Sequence, residues 1–312
     1  MALIEQFQTY IPPITPQHLD DCLNQQQNPS GETSLNTNQS QFEKDLFFDK
    51  RILIVEDNPA NQLVAKSILS RLNVKFDLVD NGAEAVEKVK AEHYDIVLMD
   101  VRMPVMDGLQ ATKAIRKLDI SASSLPILAM TANVFAEDVE QCLRAGMNDF
   151  IAKPVSSAIL KKKLWQWLER EKQAVSDGDS NATIELKNSE LTTSPSQVID
   201  LNTLRQLIDD TDSETVVSIL HVYKQQLTDL QAMLSSLDCS DTDQVNQLAE
   251  VSHNIKSASG YCGAKSLQEL AAELEKACRY NTIQPESNCL KLLPEVINAT
   301  IAEIDRIDIA DL

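Results

Sequence analysis

The sequence predicts two folded parts of different class: an α/β doubly wound five-stranded parallel sheet, then an all-α antiparallel helical bundle. Three observations carry this expectation. Between residues 50 and 171, five short apolar runs alternate with five amphipathic stretches. From 199 to 312 strand signals stop, and long stretches repeat apolar residues at i, i+3, i+4 and i+7. Polar, Gln-, Asn- and Ser-rich segments at 1–49 and 172–198 flank the first part and read as a mostly disordered N-terminal segment and a flexible linker.

The elements follow in order. RILIV (51–55) is a continuous apolar run ending in acids, which suits a strand buried on both faces. Asn58 and Pro59 then open a helix carrying Leu63, Val64, Ile68 and Leu72. VKFDLV (74–79), DIVLM (95–99), PILAMT (126–131) and DFIA (149–152) are the other strands, and each is followed by an amphipathic helix. Alternation of this kind implies a parallel sheet with right-handed crossovers. In the second part, LNTLRQLI, SETVVSILHVYKQQLTDLQAMLSSL, DTDQVNQLAEVSHNIKSASGY, AKSLQELAAELEKACRY and PESNCLKLLPEVINATIAEIDRI are helical, and their short connections predict a four-helix bundle over 199–312.

Charge and cysteine usage narrow the function classes. The formal net charge is −19. Residues 1–49 hold one basic and seven acidic side chains, residues 50–171 seventeen of each, and residues 172–312 ten against twenty-three. An acidic C-terminal part repels phosphate backbones, so its partners are expected to be proteins and not nucleic acid. The six cysteines are scattered without a CxxC pair, as reduced thiols in a cytosol would be. No apolar run approaches a membrane span and the N-terminus lacks a signal-peptide pattern, so a cytoplasmic protein without membrane insertion is expected.

In an open parallel sheet, ligands bind beyond the C-terminal strand ends. There the sequence places Glu56 and Asp57, Asp100, Thr131, and Lys153 with Pro154. Three acids in one crevice repel each other unless a cation is present, and oxygen-only donors favour Mg²⁺. Thr131 can donate a hydroxyl, and Lys153 a compact positive charge, to an oxyanion on Asp100. The set suits a carboxylate nucleophile attacking phosphorus.

VEDN (55–58), LMDVRMPVMDG (98–108), MTAN (130–133) and IAKP (151–154) resemble the receiver domain of two-component response regulators and hybrid sensor kinases, over about 50–170. The resemblance implies a flavodoxin-like sheet of order 2-1-3-4-5. By it, Asp100 is the phosphoacceptor, and Glu56, Asp57, Asp100 and the backbone carbonyl of Arg102 hold Mg²⁺. Lys153 stabilises the phosphoryl group, while Thr131 and Phe150 act as switch residues.

The segment HNIKSASGYCGA (253–264) surrounds one histidine with small residues. On a helical wheel from Leu248, at about 100° per residue, Val245, Val251, Ser252, Ile255 and Ser259 face the bundle. His253 falls at about 140°, outward, among Asn246, Ser257, Gly260 and Lys256. An exposed imidazole is therefore expected, in a shallow depression where a second protein can bring an aspartyl phosphate. A cation one turn away would screen the transferred group. His18, His93 and His221 carry no such surroundings and are read as idle.

This segment resembles the histidine phosphotransfer (HPt) domain, over about 199–310. His253, Lys256 and Gly263 fit its HxxKG-like motif and following glycine, while Ser257 stands where glycine is usual. The resemblance implies that His253 is a second phosphoacceptor, stabilised by Lys256. Asn246, Ser257, Gly260 and Gly263 form the docking surface.

The expectation is a phosphorelay carrier that is not itself an enzyme, with a sensor histidine kinase upstream and a response regulator downstream. No ATP-binding kinase module is evident, so the chain reads as a stand-alone carrier or the tail of a hybrid kinase. A flexible linker of 27 residues, 172–198, spans about 30 Å and permits Asp100 to meet His253. A rival reading is a phosphorylation-controlled docking switch with His253 idle. An Mg²⁺-dependent phosphohydrolase is disfavoured because position 102 is arginine, where such enzymes place a second acid.

Overall fold

The computed structural model describes residues 49–118, 124–132, 136–173, 198–280, 282–309 and 312. The expectations of a disordered segment at 1–49 and of a flexible linker at 172–198 fall almost wholly outside these residues.

Five parallel strands, β1 (Arg51–Val55), β2 (Lys75–Val79), β3 (Ile96–Asp100), β4 (Ile127–Thr131) and β5 (Asp149–Ala152), stand in the order β2-β1-β3-β4-β5. They alternate with α1 (Pro59–Arg71), α2 (Gly82–Ala91), α3 (Gly108–Arg116), α4 (Ala136–Ala145) and α5 (Ser157–Gln173). Every residue of β3 and β4 is buried, because helices cover both faces of the sheet. Two helix entries beside the strand ends have side-chain caps. Asn58 accepts from the Ala60 amide at the start of α1, and Asp107 from the Gln110 amide at the start of α3. Gly108 is dictated by space: a Cβ there would lie 2.1 Å from the Asp100 carbonyl oxygen.

The second part is α6 (Leu201–Asp210), α7 (Ser213–Ser235), α8 (Thr242–Cys262), α9 (Lys265–Arg279) and α10 (Asn288–Ile304). The four long helices close a ring, α7 on α8, α8 on α9, α9 on α10 and α10 back on α7, and the short α6 packs on α7 and α8. Inside, Tyr223 is fully buried and its hydroxyl pairs with Ser259 at 2.6 Å, so the polar atoms of both are satisfied. Among the described residues, no helix is long and apolar enough to cross a membrane.

One apolar cluster runs through both parts. Ile52, Ile54, Val64 and Ile68 of the α/β part join Leu220, Tyr223, Leu248 and Ile255 of the bundle, because α1 packs on α7 and α8. Val86, Val89, Ala111, Ile115 and Cys142 cover the opposite sheet face.

Candidate functional site

The first group lies at the C-terminal ends of β1, β3 and β5. Glu56, Asp57 and Asp100 each place a carboxylate oxygen within 4.8 Å of the others. The Lys153 ammonium, 3% exposed, reaches Glu56 Oε2 at 2.7 Å and Asp100 Oδ2 at 2.5 Å. Burial pushes the Glu56 carboxyl up to about 8, with Asp100 adding to the rise and Lys153 opposing it. Burial and Asp100 likewise raise Asp57, whereas the two carboxylates hold Lys153 above its ordinary range against the effect of burial.

A single lysine cannot satisfy three acids. Asp57 Oδ1 is buried without a hydrogen-bond partner. An orphaned carboxylate oxygen among oxygen donors is what a hard divalent cation would occupy, so these residues fit Mg²⁺.

The second group is on α8 and α9. His253 Nδ1 lies 3.0 Å from Glu275 Oε1, and the same oxygen meets Arg102 Nη1 at 3.0 Å and Arg279 Nε at 3.0 Å. Lys256 Nζ is 3.4 Å from Glu275 Oε2. Burial alone would raise the Glu275 carboxyl, but the His253 hydrogen bond and the charges of Lys256 and Arg102 hold it well below the usual carboxylate range. Glu275 is therefore an ionised acceptor, and His253 Nδ1 carries the proton it donates. In the neutral imidazole the lone pair is then on Nε2.

The two groups share one cleft of about 320 Å³, lined by Asp57, Arg102, Thr131, His253, Asn254 and Arg279 among others. Polar contacts join its walls. Asn254 Nδ2 donates to Asp57 Oδ2 at 3.0 Å, Asn58 Nδ2 to the Asn254 carbonyl at 2.8 Å, and Asn61 Nδ2 to Ser257 Oγ at 3.0 Å. The Val155 amide donates to Tyr261 Oη at 2.7 Å. At the far end of α1 from the cleft, Arg71 donates to the Asp209 carbonyl at 2.8 Å and to the Thr211 carbonyl.

Residues 52–165 match the family model "Response regulator receiver domain", and residues 196–308 match the "Hpt domain". The chain is a receiver domain followed by an Hpt domain. Its receiver–Hpt pairing resembles the C-terminal part of hybrid sensor kinases. Sensor protein GacS of Pseudomonas syringae pv. syringae is 30% identical over 76% of this chain, and the match covers 25% of that protein. Aerobic respiration control sensor protein ArcB of Escherichia coli is 29% identical over 72% of this chain and 27% of its own length. The chain thus spans about a quarter of these relatives. Among solved structures, a receiver domain of a Pseudomonas aeruginosa sensor histidine kinase, with magnesium coordinated in its active site cleft, is 44% identical. It covers 38% of this chain and 97% of that one, with TM-score 0.36.

Within the receiver, the structure brings Glu56, Asp57, Asp100 and Lys153 together, with Thr131 and Arg102 on the same cleft. Phe150 stands apart, half-buried against the sheet face opposite α1, with Lys163 Nζ 5.6 Å from its ring centre.

The Hpt site differs from the expectation in one physical respect. His253 is 6% exposed and Ser257 4%, not open to solvent, because the receiver covers the outward face of α8. The helical wheel turned the imidazole away from the Leu248 stripe, but its Nδ1 meets Glu275 of α9, and Asp57 and Asn61 of the receiver lie against the neighbouring Asn254 and Ser257. Lys256 turns to Glu275, Gly260 sits near Pro154, and Asn246 remains exposed and off the cleft. Gly263 has φ +72° as the C-cap of α8, where a Cβ would lie 2.7 Å from the Asp200 carbonyl oxygen.

Glu275, Asn254, Asn58 and Asn61 were not among the expected site residues. Glu275 had a legible signal. It falls on the apolar stripe of α9 with Leu267, Ala271, Leu274 and Cys278, where an unpartnered charge is costly.

Proposed function

We propose that this chain is the internal segment of a phosphorelay: Asp100 accepts a phosphoryl group from a sensor kinase's phosphohistidine, and His253 takes it from Asp100 within the same chain. His253 then supplies the aspartate of a downstream response regulator. The chain is a stoichiometric carrier, acting in the cytoplasm. The observation that carries the reading is the single cleft lined by His253 and by Asp57, whose carboxylate clusters with Glu56 and Asp100.

The residues divide the work. Lys153 neutralises charge on Asp100 before and after transfer, and Thr131 donates to a phosphoryl oxygen. Mg²⁺ held by Glu56, Asp57, Asp100 and the Arg102 carbonyl would supply charge neutralisation to the same oxygens. In the internal step His253 Nε2 uses its lone pair to form a P–N bond. The P–O bond to Asp100 breaks, and its electron pair returns to the carboxylate that Lys153 already holds. Thr131 and Phe150 are the pair through which phosphorylation reaches the face formed by α4, β5 and α5. The apolar and hydrogen-bonded joint between α1, α7 and α8 holds the reactants in place, which supports transfer over a docking switch with an idle histidine.

The test is to load the whole chain with a small phosphodonor and Mg²⁺, then follow the label by its stability. An aspartyl phosphate is lost in alkali, whereas a phosphohistidine survives alkali and is lost in acid. Label should pass from the first class to the second in the wild type. It should stay on Asp100 in His253→Gln and reach neither site in Asp100→Asn. Label that never reaches His253, even with other receivers supplied, overturns the relay and leaves the docking switch.

A further inference from the structure

Glu275 is the most heavily committed carboxylate in the second domain. It is 4% exposed, and its Oε1 accepts from three groups at 3.0 Å: His253 Nδ1, Arg279 Nε and Arg102 Nη1. Two of these are its own domain's, and Lys256 adds a third cation from α8. A buried carboxylate needs such partners. Arg102 is the exception in origin. It comes from the receiver, two residues after Asp100, and its amide donates to Asp100 Oδ1 at 3.2 Å. One short path therefore runs from Asp100 through Arg102 and Glu275 to the imidazole.

That path has a mechanical consequence. An imidazole on a two-torsion side chain can present either nitrogen, and only a fixed acceptor on Nδ1 keeps Nε2 toward the cleft. Glu275 is such an acceptor, and its own orientation is held partly by the docked receiver. We propose that the Arg102–Glu275 ion pair couples receiver docking to the aim of the imidazole that Glu275 holds. The pair makes Arg102 a specificity-determining side chain, because a receiver with a short or acidic residue there docks without setting the nucleophile. This inference rests on the relay reading above.

The test uses the full chain in two variants, Glu275→Gln and Arg102→Ala. Transfer is measured as the rate constant from preloaded Asp100 phosphate to His253, so differences in loading do not enter. In Glu275→Gln, Asp100 should load as in the wild type while transfer slows on the order of 10²-fold, the cost of a misaimed group. Long-range ¹⁵N–¹H spectra should show the His253 proton leaving Nδ1 as the dominant site. In Arg102→Ala, transfer should slow about 10-fold with the Nδ1 proton retained, since Glu275 stays in place and only the docking link is cut. Wild-type transfer rates in either variant would overturn the proposal, as would an unchanged tautomer in Glu275→Gln. If Glu275→Gln fails to fold, the Arg102→Ala rate decides. Failure of the relay itself is separate, because then the wild type never labels His253.

Discussion

At the scale of single residues, the first site is defined by an imbalance of charge that the protein does not resolve alone. Three carboxylates face one lysine, and Asp57 Oδ1 has no hydrogen-bond partner. Relieving that repulsion has a measurable consequence. Mg²⁺ should raise the thermal midpoint of the wild type, by about 2.7 kcal/mol of stability at a hundred times its dissociation constant. Asp57→Asn should raise the midpoint without metal, because one buried charge is gone, and should lose most of the response. A metal response of wild-type size in Asp57→Asn would show that the cation binds elsewhere. The strand-end acids were legible because residue type and position along a strand suffice to place them. Glu275 was harder to read: its importance comes from His253 and Arg102, which lie 22 and 173 positions away.

At the scale of elements, the strands and helices were legible almost throughout, since period-2 and period-3.6 patterns are local. Asn58, ahead of Pro59, marked a helix start for the same reason. Two glycines near His253 show where local reading divides. Gly260 lies where a Cβ would meet Gln268 Nε2 at 2.9 Å and Pro154 Cδ at 3.8 Å, so it serves the approach of the receiver. Gly263 serves the bundle, with its left-handed backbone and its contact with Asp200. Motif resemblance alone gives both the same role as docking surface. Gly263→Ala should therefore destabilise the bundle by about 2 kcal/mol, through backbone strain and the close carbonyl. In chemical denaturation the midpoint should fall, while molecules that remain folded accept phosphate on His253 at the normal rate. Unchanged stability with impaired transfer would return Gly263 to the docking surface.

At the scale of the whole molecule, burial of His253 turns on an association that sequence periodicity does not encode. The helical wheel reports which way a side chain points, not what stands in front of it. With the receiver docked, the imidazole lines the same cleft as Asp57 and has little access to solvent. Handover to a second receiver therefore requires the docked state to open, and its apparent affinity falls in proportion to the open fraction. Arg71 is the lever on that equilibrium, because it joins the two domains at the far end of α1 from the site and touches none of the reacting groups. Its guanidinium donates to the Asp209 and Thr211 carbonyls at the C-terminal end of α6, where unpaired carbonyls and the helix dipole favour a cation. Asp212 stands beside it. Arg71→Glu replaces this attraction by repulsion and leaves the Hpt surface native. In the full chain, His253 should then react faster with diethyl pyrocarbonate, read as carbethoxylation by peptide mass spectrometry. Internal transfer from Asp100 should slow, while transfer from His253 to an added receiver accelerates by a similar factor. Equal carbethoxylation rates in the variant and the wild type would mean that the docked state does not gate His253. The two transfers would then not compete for one surface.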